Sequence, residues 1–260
     1  MNIAASPAAL AGISETEWQI RRDLAALYRL VAYHRWTDFI YTHISARLPG
    51  PEHHFLINRY GVNFHEMRAS DLVKIDVDGR IVEEADRGLS SRDVNAAGFC
   101  IHSAVHMARK DLVCVVHTHT AAGIAVSAQR EGLLPLSQHA CKFYGRIAYH
   151  GYEGIALDLA ERERLVRDLG EHKAMILRNH GLLVGGTSIA EAFHMIYMLE
   201  RACAAQVDAL AGGREIVLPP PEVCAHTAEQ FRKQENDEHY AMVWNAALRL
   251  VEDGKPDYRG

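Results

Sequence analysis

The stretch "DLVCVVHTHT", residues 111–120, carries an apolar run directly into two histidines separated by one threonine. In an extended chain the side chains alternate between faces, so Val113, Val115, His117 and His119 share one side and Cys114, Val116 and Thr118 the other. Two imidazoles this close repel each other when protonated, and each needs a partner for its second nitrogen. A shared metal ion meets both demands. A hydrogen-bonded histidine pair at a strand end is the alternative that H-x-H spacing alone leaves open.

Outward from this strand, "NAAGFCIHSAVHMARK" before it and "AAGIAVSAQREG" after it read as helices, the second closed by Gly132. Ser14 with Glu17 forms an S-x-x-E capping signal before a first amphipathic helix, in which Leu24, Leu27, Tyr28 and Val31 fall on one stripe. The runs "YTHISARL", "HFLINRYG" and "LVKIDVDGRIVE", the last with a hairpin signal at Asp78-Gly79, predict short antiparallel strands. Asp158 with Glu161 opens a further helix, and "KAMILRNHGLLVGG" reads as a strand interrupted at Asn179-His180-Gly181. Ser188 with Glu191 caps a long helix that turns Phe193, Ile196, Cys203, Val207 and Leu210 inward. The three prolines at 219–221 break that pattern and introduce one C-terminal helix, "TAEQFRKQENDEHYAMVWNAALRLVE". The organisation expected is an N-terminal extension over 1–13, an α/β domain over 14–215 and a helical extension over 216–260.

Composition narrows the function. The 260 residues are 48% hydrophobic and 23% charged, enough apolar surface for a sizeable core. A formal net charge of -5 with no basic block argues against nucleic acid or an anionic membrane and for a small-molecule substrate. Cys100, Cys114, Cys141, Cys203 and Cys224 are scattered without a C-x-x-C pair, as befits buried thiols in a reducing compartment. "MNIAASPAALAGIS" lacks the basic start and apolar core of a signal peptide, and no stretch approaches the roughly 20 apolar residues of a membrane span. A cytoplasmic protein is expected.

A catalytic metal site usually takes three protein ligands and leaves a position open. The best third donor is His180, at the end of an apolar run with Gly181 behind it to allow a tight turn; an ordinary turn histidine is the other reading. His102 and His106 share a helix face, but without the glutamate of H-E-x-x-H they are read as packing, with His102 a candidate to support the site from behind. His53 and His54 point to opposite faces of a strand, and His194 is read as an ordinary helical residue.

Together these motifs resemble the class II aldolase/adducin family. The likeness runs through "YTHISARL", "ASDLVKIDVDG", "NAAGFCIHSAVH", "VVHTHTAAGIAVSA", "LLPLSQHA", "ILRNHGLL" and "EAFHMIYMLERACAAQ", roughly residues 15–215. It implies a three-layer α/β/α domain with a mixed, largely antiparallel central sheet, assembled as a homotetramer with active sites between subunits. It also implies that His117, His119 and His180 hold one divalent metal per chain, zinc before manganese or iron. The departures matter as much. The catalytic glutamate of the sugar-phosphate aldolases falls on Gly98, their phosphate-binding serines on Ala96 and Ala97, and a phosphate-loop asparagine on His43, while Gly61 keeps the glycine of the second phosphate loop. An active-site tyrosine lent by the neighbouring subunit aligns near His139.

These changes remove the donors for a phosphate dianion and favour a carboxylate, a hydroxy-keto acid or a dihydroxyaromatic acid. The expected activity is metal-dependent C–C cleavage, of aldolase or decarboxylase type, through an enolate. His139 is the candidate proton donor or acceptor, because imidazole titrates near neutral pH, with Tyr144 as a supplement. Tyr152 and Glu153 are weaker candidates, while His43 and Gly61 are placed with the substrate. Arg178, two residues before His180, could grip a carboxylate or simply cap a strand end, and Tyr240 and Trp244 could close over a neighbouring site or pack in the core. The chain stops at 260 without the lysine-rich tail with which adducins engage partners, so an enzyme is favoured over a non-catalytic adducin-like module; an iron-dependent oxygenase on the same scaffold is the third reading.

Overall fold

A computed structural model describes residues 12–82, 88–155 and 160–260. The chain opens with α1 (Glu15–Tyr33), whose N-cap Ser14 accepts a hydrogen bond from the Glu17 N–H as the capping signal requires. Glu17 does not complete the box. Its carboxylate pairs instead with Arg21 at 2.8 Å and Lys74 at 3.0 Å. Strands β1 (His43–Arg47), β2 (Phe55–Ile57) and β3 (Val73–Ile75) follow as an antiparallel meander. Among the described residues the Asp78-Gly79 turn closes a bridge between Ile75 and Ile81; Glu83, the last residue of the run read as a hairpin, lies outside them. His53 and His54 precede β2, and His53 takes a positive φ of 56°, so the pair lies in the connection between β1 and β2 and not on a strand.

Next come α2 (Ala96–Ala108), β4 (Cys114–Thr118), α3 (Ala121–Ser127), the short α4 (Gln138–Cys141) and β5 (Ile147–His150). The helix α5 (Glu161–Leu169) is described from its first turn; Asp158, its expected cap, lies outside the described residues. The run "KAMILRNHGLLVGG" is two strands, β6 (Ala174–Leu177) and β7 (Gly181–Gly186), folded back on each other. Asn179 makes the reversal with φ of 54°, a left-handed conformation that Asn tolerates better than most residues.

The sheet order is β3-β2-β1-β4-β7-β6-β5, and every pairing is antiparallel except β5 with β6. This is the mixed, largely antiparallel sheet expected. Alternation along the central strands sorts the core into two layers. Cys114 and Val116 of β4, Ile176 of β6 and Leu182 and Val184 of β7 join one cluster. That cluster includes α1 and α6 (Ile189–Ala211). Val115, Met175 and Leu183 face a second cluster, with Ile101 and Val105 of α2 and Leu165 and Leu169 of α5. Each fully buried aliphatic side chain in these layers contributes about 1.5–3 kcal/mol.

The C-terminal segment departs from its expected single helix. It forms α7 (Pro221–Gln234), with proline at its first position where a missing N–H costs nothing, and α8 (Asp237–Leu248). The break has two causes. Asn236 caps α8 by accepting from the His239 N–H at 2.9 Å, and the Glu235 carboxylate turns inward to Lys142 and His194. Trp244, Ala247, Val251 and Tyr258 then join the main core cluster, so Trp244 packs within its own chain.

Candidate metal centre

Three imidazoles meet at one end of the sheet. His117 is the fourth residue of β4, His119 follows the strand, and His180 ends the β6–β7 turn. The β4–β7 ladder, which sets His117 opposite Leu183, brings the distant turn beside the H-x-H pair. The approach is close enough to need glycine: a Cβ at Gly181 would stand 2.3 Å from the Thr118 carbonyl oxygen. His119 Nε2 lies 2.8 Å from His117 Nε2, which lies 3.3 Å from His180 Nε2, and one ligand atom from each of the three falls within a 4.8 Å cluster.

The outer nitrogens show what this cluster suits. His117 Nδ1 is 2.8 Å from the Leu182 carbonyl oxygen and His119 Nδ1 is 3.0 Å from the Asp38 carboxylate. Both partners only accept, so both Nδ1 atoms donate. In neutral rings this leaves each Nε2 as a bare lone pair, and two lone pairs 2.8 Å apart face each other with nothing between them. Protonation is a poor remedy: burial and the neighbouring rings of His180, His119 and His43 hold His117 well below the usual imidazole range. Burial, with His119 and His150, likewise pushes His180 down to about 4. A divalent cation fits this donor set, and three imidazoles are a usual complement for one.

His43 completes the wall. It pairs with His117 across the β1–β4 ladder and stacks on it with ring centroids 5.7 Å apart. It is 2% exposed, and neither of its ring nitrogens makes a hydrogen bond. Behind it, Ser45 Oγ bridges His102 Nδ1 at 2.5 Å and His106 Nε2 at 2.8 Å, so that helical pair is buried packing, with the His102 ring 5.4 Å from His43. Tyr152 also reaches the site, its ring 6.5 Å from His180.

Other expected site residues are elsewhere in the chain. His139 lies on α4, where burial and the Arg201 charge lower its pKa, and no described contact joins it or the half-exposed Tyr144 to the three histidines. Arg178 donates to the carbonyls of Gln129 at 2.6 Å and Arg130 at 3.3 Å and lies over the Tyr149 ring, so two of its N–H groups are engaged within the chain, and it lines a small pocket together with His180. Gly61 has φ of 91° and open space where a side chain would be. Tyr240 is buried at the break between α7 and α8, with its hydroxyl 3.5 Å from Glu235. His194 proves more than an ordinary helical residue, since its Nε2 meets Glu235 at 2.8 Å.

Sequence reading did not find Asp38, which orients His119 from 81 residues away, or Glu200, whose carboxylate accepts from Thr118 and Thr120. No motif marks either one.

An α/β/α layering with a histidine cluster at the ends of β4 and the β6–β7 turn defines the class II aldolase-like fold. Residues 22–207 match the family described as Class II Aldolase and Adducin N-terminal domain, and the chain belongs to that family. A Caulobacter vibrioides protein whose name assigns it provisionally to the class 2 aldolases is 51% identical, over 95% of this chain and 94% of its own. The crystal structure of an aldolase II superfamily protein from Pseudomonas syringae superposes with a TM-score of 0.88 at 55% identity, covering 95% of this chain and 98% of that one. The L-fuculose 1-phosphate aldolase from Glaciozyma antarctica PI12 superposes with a TM-score of 0.79 at 29% identity, over 92% and 90%. Among the described residues no helix is long and apolar enough to cross a membrane.

Proposed function

We propose that this protein is a divalent-metal-dependent C–C lyase, of aldolase or decarboxylase type, acting on a non-phosphorylated hydroxy-keto or aromatic acid. The observation that carries the reading is the trio of Nε2 atoms, two of them 2.8 Å apart with both Nδ1 atoms engaged as donors. His117, His119 and His180 would hold the ion, most readily zinc. When bound, such an ion supplies Lewis-acid polarisation of a carbonyl and stabilises the negative charge that develops there.

The chain's own residues do the rest. Asp38 and the Leu182 carbonyl keep the His119 and His117 rings turned inward. His43 offers a hydrogen bond to a substrate group beside His117. Tyr152, more than half exposed next to His180, lies where a substrate enters. His139 has no contact with the three histidines in its own chain, which suits a proton donor lent to a neighbouring subunit of a homotetramer. Ala96, Ala97 and Gly98 bring no hydroxyl or carboxylate to the start of α2, which supports a substrate without a phosphate group.

Elemental analysis of protein purified without a His tag tests this reading. It expects about one divalent ion per chain, loss of that ion in His117→Ala or His180→Ala, and C–C cleavage of a hydroxy-keto or aromatic acid that stops on chelation. Metal-free protein that binds no added zinc would instead favour the non-catalytic, adducin-like reading that the family also contains.

A further inference from the structure

The helix α6 brings one carboxylate into the interior directly behind the H-T-H-T segment. Glu200 is 3% exposed. Its Oε1 accepts from Thr118 Oγ1 at 2.5 Å and its Oε2 from Thr120 Oγ1 at 2.7 Å. These two hydroxyls alternate along the chain with the imidazoles of His117 and His119, so they lie on the opposite side of the backbone. Thr118 is the last residue of β4. Thr120 is the N-cap of α3, where its Oγ1 also accepts from the Gly123 N–H at 3.0 Å.

A buried carboxylate is costly unless its oxygens are satisfied, and no described ion pair involves Glu200. Burial alone lifts it to about 7, against the pull of the two threonines. Among the described residues its hydrogen-bond partners are two neutral hydroxyls, and both flank His119. A core position that served packing alone would be filled at lower cost by an apolar side chain.

We propose that Glu200 is a positioning residue for the metal centre, gripping Thr118 and Thr120 at once so that the backbone between them holds His117 and His119 facing His180. This inference rests on the metal-centre reading above. It assigns Glu200 no contact with the ion or with a substrate.

Zinc affinity of the full-length protein, measured by chelator competition, tests the proposal together with thermal melts of the metal-free forms and the visible spectrum of the cobalt-substituted forms. Glu200→Ala is expected to weaken zinc binding on the order of tenfold, the low end for supporting groups around metal ligands. Glu200→Gln keeps the shape and a hydrogen bond to each hydroxyl, and is expected to restore affinity to within about threefold of wild type. Thr120→Val, nearly isosteric, is the second probe should Glu200→Ala fail to fold, and is expected to weaken zinc binding in the same direction. The cobalt spectrum is expected to shift in Glu200→Ala and Thr120→Val but not in Glu200→Gln. Variants that melt lower yet bind zinc as wild type does, with an unchanged cobalt spectrum, would overturn the proposal and leave Glu200 a structural group. Wild-type protein that binds no zinc would instead overturn the metal-centre reading itself, and this inference with it.

Discussion

A Cβ placed on Gly98 would stand 2.4 Å from Cδ2 and 2.7 Å from Nε2 of His43, so the His43 ring fills the space that a side chain at position 98 would need. The two positions at which the resemblance implies a departure from the aldolase pattern thus share one space in this chain. A side chain larger than glycine at position 98 of α2 and the imidazole of His43 from β1 compete for it. Gly98→Ala is expected to destabilise the protein by about 1–3 kcal/mol, the cost of overpacking a filled site. Adding His43→Asn should recover most of that loss, and urea melts of the four proteins in a double-mutant cycle would read the coupling. Additive effects would show that the ring has room to move.

His180 is partly exposed and sits in a turn, whereas His117 is buried and bonded to the Leu182 carbonyl. Removing His180 should therefore cost metal without costing fold. In His180→Ala, bound zinc by elemental analysis is expected to fall well below that of wild type, while the melting temperature of the metal-free protein moves by less than about 3 °C. His117→Ala should lose metal as well but melt lower, because it leaves a cavity and a carbonyl without its donor.

Asp38 holds the His119 Nδ1–H from a loop between α1 and β1. Asp38→Ala is expected to weaken zinc binding by about 10–100-fold with little change in the metal-free melt. Asp38→Asn can still accept through its amide oxygen and should fall between the two. Equal affinity in all three proteins, by chelator competition, would remove Asp38 from the site.

The Ser45-bridged pair sets a pH dependence. Burial holds His102 and His106 near neutral charge down to about 3, against an ordinary imidazole value of 6.5. Below pH 6.5 the unfolded chain takes up protons at these positions and the folded chain does not, so their contribution to stability is present above 6.5 and is lost as pH falls toward 3. Urea midpoints should decline steadily through that window. His106→Gln, which cannot be protonated, is expected to flatten the decline.

Lys142 and Glu235 form an ion pair in which both side chains are more than nine-tenths buried, and His194 shares the carboxylate. Removing the acid alone strands a buried ammonium. Glu235→Ala is expected to cost about 3–5 kcal/mol, against a smaller loss for Lys142→Met with Glu235→Leu together, measured by chemical denaturation. The single variant should also loosen α7 from α8, visible as faster amide exchange at their junction.

Much of the centre was legible from spacing. Strand alternation puts His117 and His119 on one face whatever surrounds them, and glycine after His180 marks a tight approach. The caps Ser14 and Ser188 were equally readable, since an N-cap acts over three residues and owes nothing to distant contacts. The misreadings share a cause. The C-terminal segment keeps a helical pattern straight through Glu235, and the break there owes as much to the pull of Lys142, 93 residues away, and of His194 as to the Asn236 cap. Arg178 was open to two readings, a carboxylate grip or a strand-end group, because the carbonyls it meets, those of Gln129 and Arg130, are far off in the chain.

What the sequence by itself determined is the set of local geometries: two imidazoles on one strand face, a turn at Asn179-His180-Gly181, and amphipathic helices to cover a sheet. These depend on backbone periodicity and steric preference over a few residues. Tertiary structure alone decided the support behind those histidines, namely Asp38 on His119 and Glu200 on the threonines that flank it. Such groups meet only once strand register and helix packing bring residues from different parts of the chain together, and no short-range pattern encodes that meeting.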